Sequence, residues 1–275
     1  MAGLRCGGGE GRSVASLGPD ACGVSDVGLV RENNEDYFCL AAEGNVLVVA
    51  DGLGGLPGGE VASATAAQTA ARYLAERFDP SADSQRVRSL LAEAFESSQR
   101  AVLDKAVRAR KRGMATTLVA AWIAGGNLYC SHVGDVRAYV LRSGGPAELL
   151  TTDDTLAMRM VLAGQLGAGE LRGHPARNML TRAIGLREWG PPSFAHCLLS
   201  PGDVVLLCSD GLWDLVEEAV LAAYASRLWS SPRDGALGLV ELALRRGGSD
   251  NVTVAVRRVG RPGFAGEDAP EGGTS

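Results

Sequence analysis

Three aspartates in this chain stand where an apolar run begins or ends. The runs NVLVVA and DVVLLCS are followed by Asp51-Gly and Asp210-Gly, and Asp250 comes just before the β-branched run VTVAV. An isolated Asp-Gly pair predicts only a turn. Because buried strands end where a sheet meets solvent, we expect these three carboxylates to gather at one sheet edge as hard oxygen ligands for a metal ion.

Four further acids border apolar runs in the same way: Glu35, Asp36, Asp135 and Asp214. Carboxylates packed together repel one another unless cations neutralise them. Oxygen ligands without His or Cys favour Mg²⁺ or Mn²⁺ over zinc, and two such ions can activate a water that attacks phosphorus. The sequence therefore predicts a two-metal site for phosphate chemistry.

Arg31 is the candidate for holding a phosphate group. A guanidinium fork binds two phosphate oxygens at once, and Arg31 precedes Glu35 and Asp36 closely enough to share their position. The alternative interpretation is an ordinary surface arginine. A second basic run, RARKR at 108–112, ends a predicted helix, where cations complement the helix dipole. We interpret that run as structural, with a minor docking role.

The elements that must position these residues follow from hydrophobic periodicity. Short β-rich runs come first, helical patterns follow over 61–78 and 87–102, and a meander of strands covers 116–141. Later strands at 193–208 and 252–259 enclose further helical segments. Strands joined directly to strands, with helices grouped in pairs, favour antiparallel sheets with helical layers outside them.

The length of 275 residues fits one large domain. Both ends are rich in Gly and Ser or in Gly, Pro and acidic residues, so we predict a disordered segment at 1–19, a folded domain at 20–259 and a disordered tail at 260–275. The net charge of -5 gives no electrostatic case for binding nucleic acid or an anionic membrane.

The cysteine pattern and the hydropathy bear on location. The six cysteines are scattered singly without CxxC, which is typical of reduced, mostly buried thiols. The N-terminus lacks the apolar region of a signal peptide, and no stretch approaches the roughly 18 apolar residues of a membrane helix. We therefore expect a soluble cytoplasmic protein.

The chain resembles the metal-dependent serine/threonine protein phosphatases of type 2C in their bacterial form. The resemblance covers nearly the whole predicted domain and rests on ordered segments: VGLVRENNEDYF (27–38), VVADGLGGLPGGEVAS (48–63), MATTLVAA (114–121), SHVGDVRAYVLR (131–142), HPARNMLTRAIG (174–185), LLCSDGLWDLV (206–216) and GGSDNVTVAVRR (247–258). It implies a four-layer α/β/β/α sandwich of class α+β, with two central antiparallel sheets flanked by helix pairs and a two-metal site at one end.

The resemblance also implies roles for the metal ligands. Asp51 looks like the carboxylate that bridges two Mn²⁺ or Mg²⁺ ions, and Gly52 looks like a carbonyl ligand of one of them. Asp210 and Asp250 resemble the ligands of the other ion.

The remaining candidates receive roles in the same way. Glu35 and Asp36 resemble acids that hold metal-bound waters, and Arg31 matches the family's phosphate-binding arginine. Asp135 and Asp214 fall, with one of the core ligands, where many bacterial members bind a third, weaker ion.

The chain departs from the family's pattern at a few positions. Leu53 stands where animal-type members carry a histidine proposed as general acid, and Asp154 and Thr155 replace a His-Ser pair that bacterial members usually have. His174 is no substitute for that acid, because its segment HPARN is expected to be a flap or turn element.

The function implied by the resemblance is hydrolysis of phosphoserine and phosphothreonine in proteins by a metal-activated water, without a phosphoenzyme. Phosphorylated proteins, a serine/threonine kinase and the targets of that kinase are the implied partners, and a monomer is the default state. One alternative is a binding module without turnover, against which the complete ligand set argues. Another is a Mg²⁺ phosphohydrolase with a nucleophilic Asp or a P-loop, but the chain has no GxxxxGK[ST].

Overall fold

The computed structural model describes residues 3–9, 11–55, 58–111, 113–187 and 189–260. These residues form twelve strands and six α-helices. The strands are β1 (Arg5–Gly8), β2 (Arg12–Leu17), β3 (Ala21–Asp26), β4 (Asp36–Ala41), β5 (Val46–Asp51), β6 (Leu118–Ala124), β7 (Asn127–Val133), β8 (Arg137–Leu141), β9 (Ala147–Leu149), β10 (Ser193–Leu198), β11 (Val204–Cys208) and β12 (Val252–Arg258). The helices are α1 (Gly59–Ala75), α2 (Ser84–Ala109), α3 (Leu156–Leu162), α4 (Asp210–Trp213), α5 (Glu218–Ser230) and α6 (Pro232–Arg245).

The strands form two antiparallel sheets of six strands each. Sheet A has the order β1-β4-β5-β6-β7-β10, and sheet B has the order β2-β3-β12-β11-β8-β9. Helices α1 and α2 cover the outer face of sheet A, and α5 and α6 cover the outer face of sheet B. The predicted four-layer sandwich of class α+β is confirmed.

Strand β5 shows why the central strands read as continuous apolar runs. Leu47 and Val49 face the space between the two sheets, while Val46, Val48 and Ala50 face the helices. Both faces of the strand are buried, so the sequence has no polar face to alternate with the apolar one.

The two helices on sheet A confirm the helical patterns predicted at 61–78 and 87–102. The first turn of α2 is capped by Asp83, which accepts a hydrogen bond from the backbone N–H of Arg86 at 2.7 Å. The helix continues to Ala109, beyond the predicted pattern, and ends at Arg110 in the left-handed conformation (φ 55°).

The prediction of a disordered segment at 1–19 is wrong. Strand β1 pairs with β4 at one edge of sheet A, and β2 pairs with β3 at one edge of sheet B, so the N-terminal residues contribute to both sheets. The segment is poor in large apolar residues because edge strands bury little side-chain surface, and its order depends on pairing with β3 and β4. The predicted disordered tail at 260–275 lies, apart from Gly260, outside the described residues.

The prediction of six reduced thiols is wrong for two of them, because Cys6 and Cys39 form a disulfide. The register of β1 against β4 places them directly opposite each other, with Cα atoms 4.1 Å apart. They are 33 residues apart in sequence, so their spacing gives no sign of the pairing. The other four cysteines are free. None of the helices in the described part of the chain combines the length and the hydropathy needed to cross a membrane.

Candidate metal centre

Four predicted ligands lie at the same end of the sandwich because of how their strands pair. Asp36 opens β4 and Asp51 closes β5, and the two residues face each other in the register of that pair. Asp210 follows β11 and begins α4, while Asp250 lies two residues before β12, the strand that pairs with β11. Antiparallel pairing therefore brings Asp36 to Asp51 in sheet A and Asp210 to Asp250 in sheet B, and the packing of the two sheets joins the pairs. The acids thus meet at one end of the sandwich and not, as expected, at the edge of a single sheet.

An open cavity of about 390 Å³ lies at this end of the sandwich. The predicted site residues that line it are Arg31, Glu35, Asp51, Gly52, Asp135, Asp210 and Asp250. Asp36 lies beneath it, fully buried, and Asp214 is not among its lining residues. The structure thus brings most of the predicted site residues to one cavity.

The backbone on either side of Asp51 is held by two threonines of the neighbouring segment. The Thr116 hydroxyl donates to the Asp51 carbonyl at 2.7 Å, and the Thr117 hydroxyl accepts from the Asp51 N–H at 3.0 Å. Gly52 donates its N–H to the Glu35 carbonyl at 3.0 Å, and a Cβ there would lie 2.4 Å from the carbonyl oxygen of Gly59. Only glycine fits that approach.

Asp36 has one carboxylate oxygen in use and one without a partner. Its Oδ2 accepts a hydrogen bond of 2.7 Å from the Ser209 hydroxyl, which in turn accepts from the Thr253 N–H at 3.0 Å. Its Oδ1 is buried and makes no hydrogen bond with the described residues. A buried carboxylate oxygen without a partner indicates a position where a cation or its water is bound.

Burial and mutual repulsion raise the pKa values of these carboxyl groups. Burial raises the pKa of Asp51 and that of Asp210 well above the ordinary value, and the carboxylates beside them raise both further. Burial, with a smaller contribution from Asp153, raises the pKa of Asp135 to about 7. Burial raises the pKa of Asp36 to about 6. Such a cluster ionises fully only when positive charge is added.

Arg31 lies at the mouth of the cavity with 46% of its side chain exposed. Its Nη2 donates to Asp250 Oδ2 at 2.7 Å, and this bond with Asp250 raises the pKa of the guanidinium. The other oxygen of Asp250 accepts from the backbone N–H of Asn251 at 2.9 Å. One oxygen of Asp250 is therefore paired with Arg31, and the other accepts from a backbone N–H.

The two acids predicted to bind a third ion, Asp135 and Asp214, already have other hydrogen-bond partners. Asp214 accepts two hydrogen bonds from the Arg177 guanidinium, at 2.8 and 2.7 Å, so Arg177 must release it before it can bind a cation. Asp135 is held through its backbone, since its carbonyl accepts from the Trp213 indole N–H at 3.0 Å. Asp214 does not line the cavity, although its charge is near enough to contribute to the raised pKa of Asp135.

The donor set fits a hard divalent cation, although the side chains need adjustment to bind one. As they stand, no three His, Cys, Asp or Glu side chains of the described residues converge closely enough to hold an ion. All the same, the acids that line the cavity offer only oxygen, Asp36 Oδ1 has no partner, and burial raises the pKa values of its neighbours. Oxygen donors with compensating charge are what Mg²⁺ and Mn²⁺ require.

The segment with the altered residues, predicted to be a flap, reaches the cavity, which Asn178 lines. Asp154 Oδ2 accepts from the Gly134 N–H at 2.9 Å and from Arg182 at 2.8 Å, so this residue ties the flap to the turn that carries Asp135. Thr155 caps α3 by accepting from the Met158 N–H. His174 accepts from the Ala176 N–H at 3.1 Å, as a turn residue would.

The sequence did not identify the polar residues that support the acids. Asn251 accepts from the Glu35 N–H at 2.8 Å and donates to two backbone carbonyls, so it joins the segment before β4 to the segment before β12. Thr116, Thr117 and Ser209 act in the same way. All four lie inside segments that carry the family resemblance, so the resemblance was the sequence signal that could have identified them.

A sequence profile described as Protein phosphatase 2C matches residues 30–242. The chain belongs to the protein phosphatase 2C family. The serine/threonine protein phosphatase PstP of Mycobacterium tuberculosis is 38% identical over 236 residues, which are 86% of this chain and 44% of PstP. The chain therefore spans less than half the length of PstP. The protein phosphatase PhpP of Streptococcus pneumoniae is 32% identical over 85% of this chain and 94% of PhpP.

Solved structures of the protein phosphatase 2C family agree with the fold. A crystal structure of the M. tuberculosis phosphatase PstP/Ppp aligns with a TM-score of 0.77 and 34% identity, covering 95% of this chain and all of that one. The catalytic domain of PstP in complex with 2 manganese ions aligns with a TM-score of 0.73 and 33% identity, with coverage of 95% and 100%.

Proposed function

We propose that this chain is a metal-dependent protein phosphatase that hydrolyses phosphoserine and phosphothreonine by direct attack of water, without a phosphoenzyme. The observation that carries the proposal is the cavity lined by Asp51, Asp135, Asp210 and Asp250, with Arg31 at its mouth. The similarity of the chain to PstP, which is named a serine/threonine protein phosphatase, supports the substrate class.

We assign the core ligands to Asp51, Gly52, Asp210 and Asp250, and outer positions that hold waters to Glu35 and Asp36. Two Mn²⁺ or Mg²⁺ ions bound there would supply the activation of the attacking water. A third, weaker ion would use Asp135 and would require Asp214 to exchange Arg177 for the cation.

The protein residues then have separate tasks. The Arg31 guanidinium would hold two phosphate oxygens at the mouth of the cavity, exchanging the bond with Asp250 for bonds to the substrate. Thr116, Thr117, Ser209 and Asn251 hold the segments that carry the acids, so that the adjustment needed when cations bind would fall on the acid side chains. Leu53 lines the cavity without a group that could transfer a proton.

The physiological setting follows from the same proposal. Phosphorylated proteins are the expected substrates, and a serine/threonine kinase and its targets are the expected partners. We propose a cytoplasmic, monomeric protein that acts in signalling, although the Cys6–Cys39 disulfide removes two of the six cysteines from the argument for a reducing compartment.

The proposal is tested with purified protein and a phosphothreonine peptide. We expect phosphate release with Mn²⁺ and none with excess chelator. Asp210→Asn should lower kcat by at least about a thousandfold and weaken Mn²⁺ binding measured by calorimetry, because a buried ligand loses its charge.

Asp104→Asn is the matched control, since Asp104 is exposed on α2. It should change neither turnover nor Mn²⁺ binding. Release of phosphate in chelator would contradict the metal dependence, and bound Mn²⁺ without turnover on any phosphopeptide would favour a binding module instead.

A further inference from the structure

Helix α2 ends in a group of exposed cations that has no role in the site described above. Arg108 and Arg110 are exposed, and within the described residues neither forms an ion pair with an acid. Lys111 is half exposed. We call Arg108, Arg110 and Lys111 the basic surface.

The basic surface adjoins the wall of the cavity. Leu53, which lines the cavity, donates its N–H to the Ala115 carbonyl at 3.0 Å, just past the end of the basic surface. The Lys111 ammonium bonds Glu60 in the first turn of α1 at 3.2 Å. A Cβ built on Gly58 would lie 2.9 Å from Lys111 Cδ.

The next residue of that loop faces the cavity acids. A Cβ built on Gly59 would lie 2.6 Å from Glu35 Oε1, and Glu35 lines the cavity. Residues 58–60 therefore have the cavity acid Glu35 on one side and Lys111 on the other. Of the basic surface, Lys111 is thus the residue that the contacts place next to the cavity wall, and Arg108 and Arg110 precede it by three residues and one residue in the chain.

Favourable interaction with the C-terminal end of α2 explains only part of the positive charge on the basic surface. The last carbonyls of α2 already accept backbone hydrogen bonds, from Arg110 N–H to Val107 at 3.2 Å and from Lys111 N–H to Ala106 at 3.1 Å. The interaction of cations with a helix dipole falls off beyond the last turn. Val107 is 78% exposed beside the cations, so the surface can also contact the stem of a bound side chain.

We propose that the basic surface binds acidic residues that flank the phosphoserine or phosphothreonine of the substrate. The inference rests on the proposed phosphatase function and adds a sequence preference to it. Opposite charges at the rim of a binding site select partners and speed association. A nucleic acid is a poorer match. Proteins that bind DNA can contact about six to ten phosphates, whereas the basic surface offers three cations and the chain carries a net charge of -5.

The test compares two phosphothreonine peptides of one length, one with Glu and one with Gln around the phosphorylated residue. The unaltered protein should have a lower KM for the acidic peptide. The double variant Arg108→Gln/Arg110→Gln should raise that KM by about threefold to tenfold at low salt, which is the modest scale of exposed ion pairs. Its KM for the neutral peptide and its kcat for both should stay unchanged.

The matched control is Arg86→Gln/Arg88→Gln, which removes the same charge from exposed positions at the other end of α2. Those positions are about 30 Å away along the helix axis. An equal rise in KM in the control would overturn the proposal, because net charge would then be the cause. An unchanged KM together with lost binding to anionic lipid vesicles would overturn it in favour of a membrane contact.

p-Nitrophenyl phosphate separates this inference from the phosphatase function. If the unaltered protein with Mn²⁺ hydrolyses neither this compound nor either peptide, the proposed function fails. If it hydrolyses all three but does not distinguish the two peptides, only the docking proposal fails.

Discussion

Of the acids that line the cavity, Asp135 is the one that the fold buries most completely. Asp135 is 5% exposed, and its pKa of about 7 contrasts with the ordinary value of 3.8. Below about pH 4 the group is protonated in the folded and unfolded states alike. As the pH rises from about 4 to about 7, the unfolded state releases the proton first, so ionisation disfavours folding.

Asp135→Asn should therefore stabilise the protein in chelator, and more so at higher pH. We expect its free energy of unfolding to exceed that of the unaltered protein by about 1 to 3 kcal/mol at about pH 8 and by little at about pH 4. Chemical denaturation at both pH values measures this difference. The exposed Asp104→Asn should show no such dependence on pH, and a destabilised Asp135→Asn at about pH 8 would contradict the argument.

Apolar runs that stop at an acid were enough to predict that Asp51, Asp210 and Asp250 meet in the cavity, because both sheets end there, whereas Asp214, predicted in the same way, does not line it. The ion pairs of those acids were not predictable. Arg31 with Asp250 and Arg177 with Asp214 are separated by 219 and 37 residues, and each pairing depends on where the loops pass. The spacing of these residues in the sequence does not indicate which arginine pairs with which acid.

The contact between β3 and β4 sets how closely the two sheets approach. Phe38 on β4 is fully buried, and its ring lies over Gly23 on β3. A Cβ at Gly23 would lie 2.1 Å from Phe38 Cε2, a distance that no packed structure allows. The absence of a side chain at residue 23 is therefore what lets the aromatic ring fill the space between the sheets.

Gly23→Ala should destabilise the fold by about 1 to 3 kcal/mol through overpacking. Thermal unfolding by circular dichroism measures the change. Gly169→Ala is the matched control, because a Cβ built there has no atom within 4 Å, and it should leave the midpoint nearly unchanged. Equal midpoints for the two variants would mean that the ring moves aside without cost.

Elements with two buried faces were predictable, whereas the edge strands were not. Strand β5 is buried along nearly its whole length and its apolar run is evident, but β1 reads RCGG and β9 reads AEL. Short edge strands have little hydrophobic pattern of their own. Their structure comes from the neighbour that they pair with, which the local sequence does not specify.

At the scale of the molecule, the N-terminal residues occupy an edge of each sheet. Strand β1 covers β4 and carries the Cys6–Cys39 disulfide, and β2 covers β3. Both covered strands are largely buried and apolar. Without their partners they would become open edges that can pair with another chain.

A truncated protein that begins at residue 20, the boundary predicted from composition, should therefore be less stable and prone to self-association. We expect its unfolding midpoint to fall by about 5 to 10 °C, equivalent to a few kcal/mol for a domain of this size. Differential scanning calorimetry and light scattering measure both effects. A form that lacks only residues 1–4 keeps both strands and is the control, and a monomeric truncated protein with an unchanged midpoint would contradict the prediction.

The pairing of β3 with β12 has a consequence for biosynthesis. Strand β3 (21–26) cannot pair with β12 until residues 252–258 have left the ribosome. Until then sheet B is split into two parts with open edges. Asp250 lies just ahead of that late strand, so the nascent domain acquires the candidate site only when its last strand has emerged. We therefore expect the apolar edges of the nascent domain to be targets for ribosome-associated chaperones until β12 has emerged.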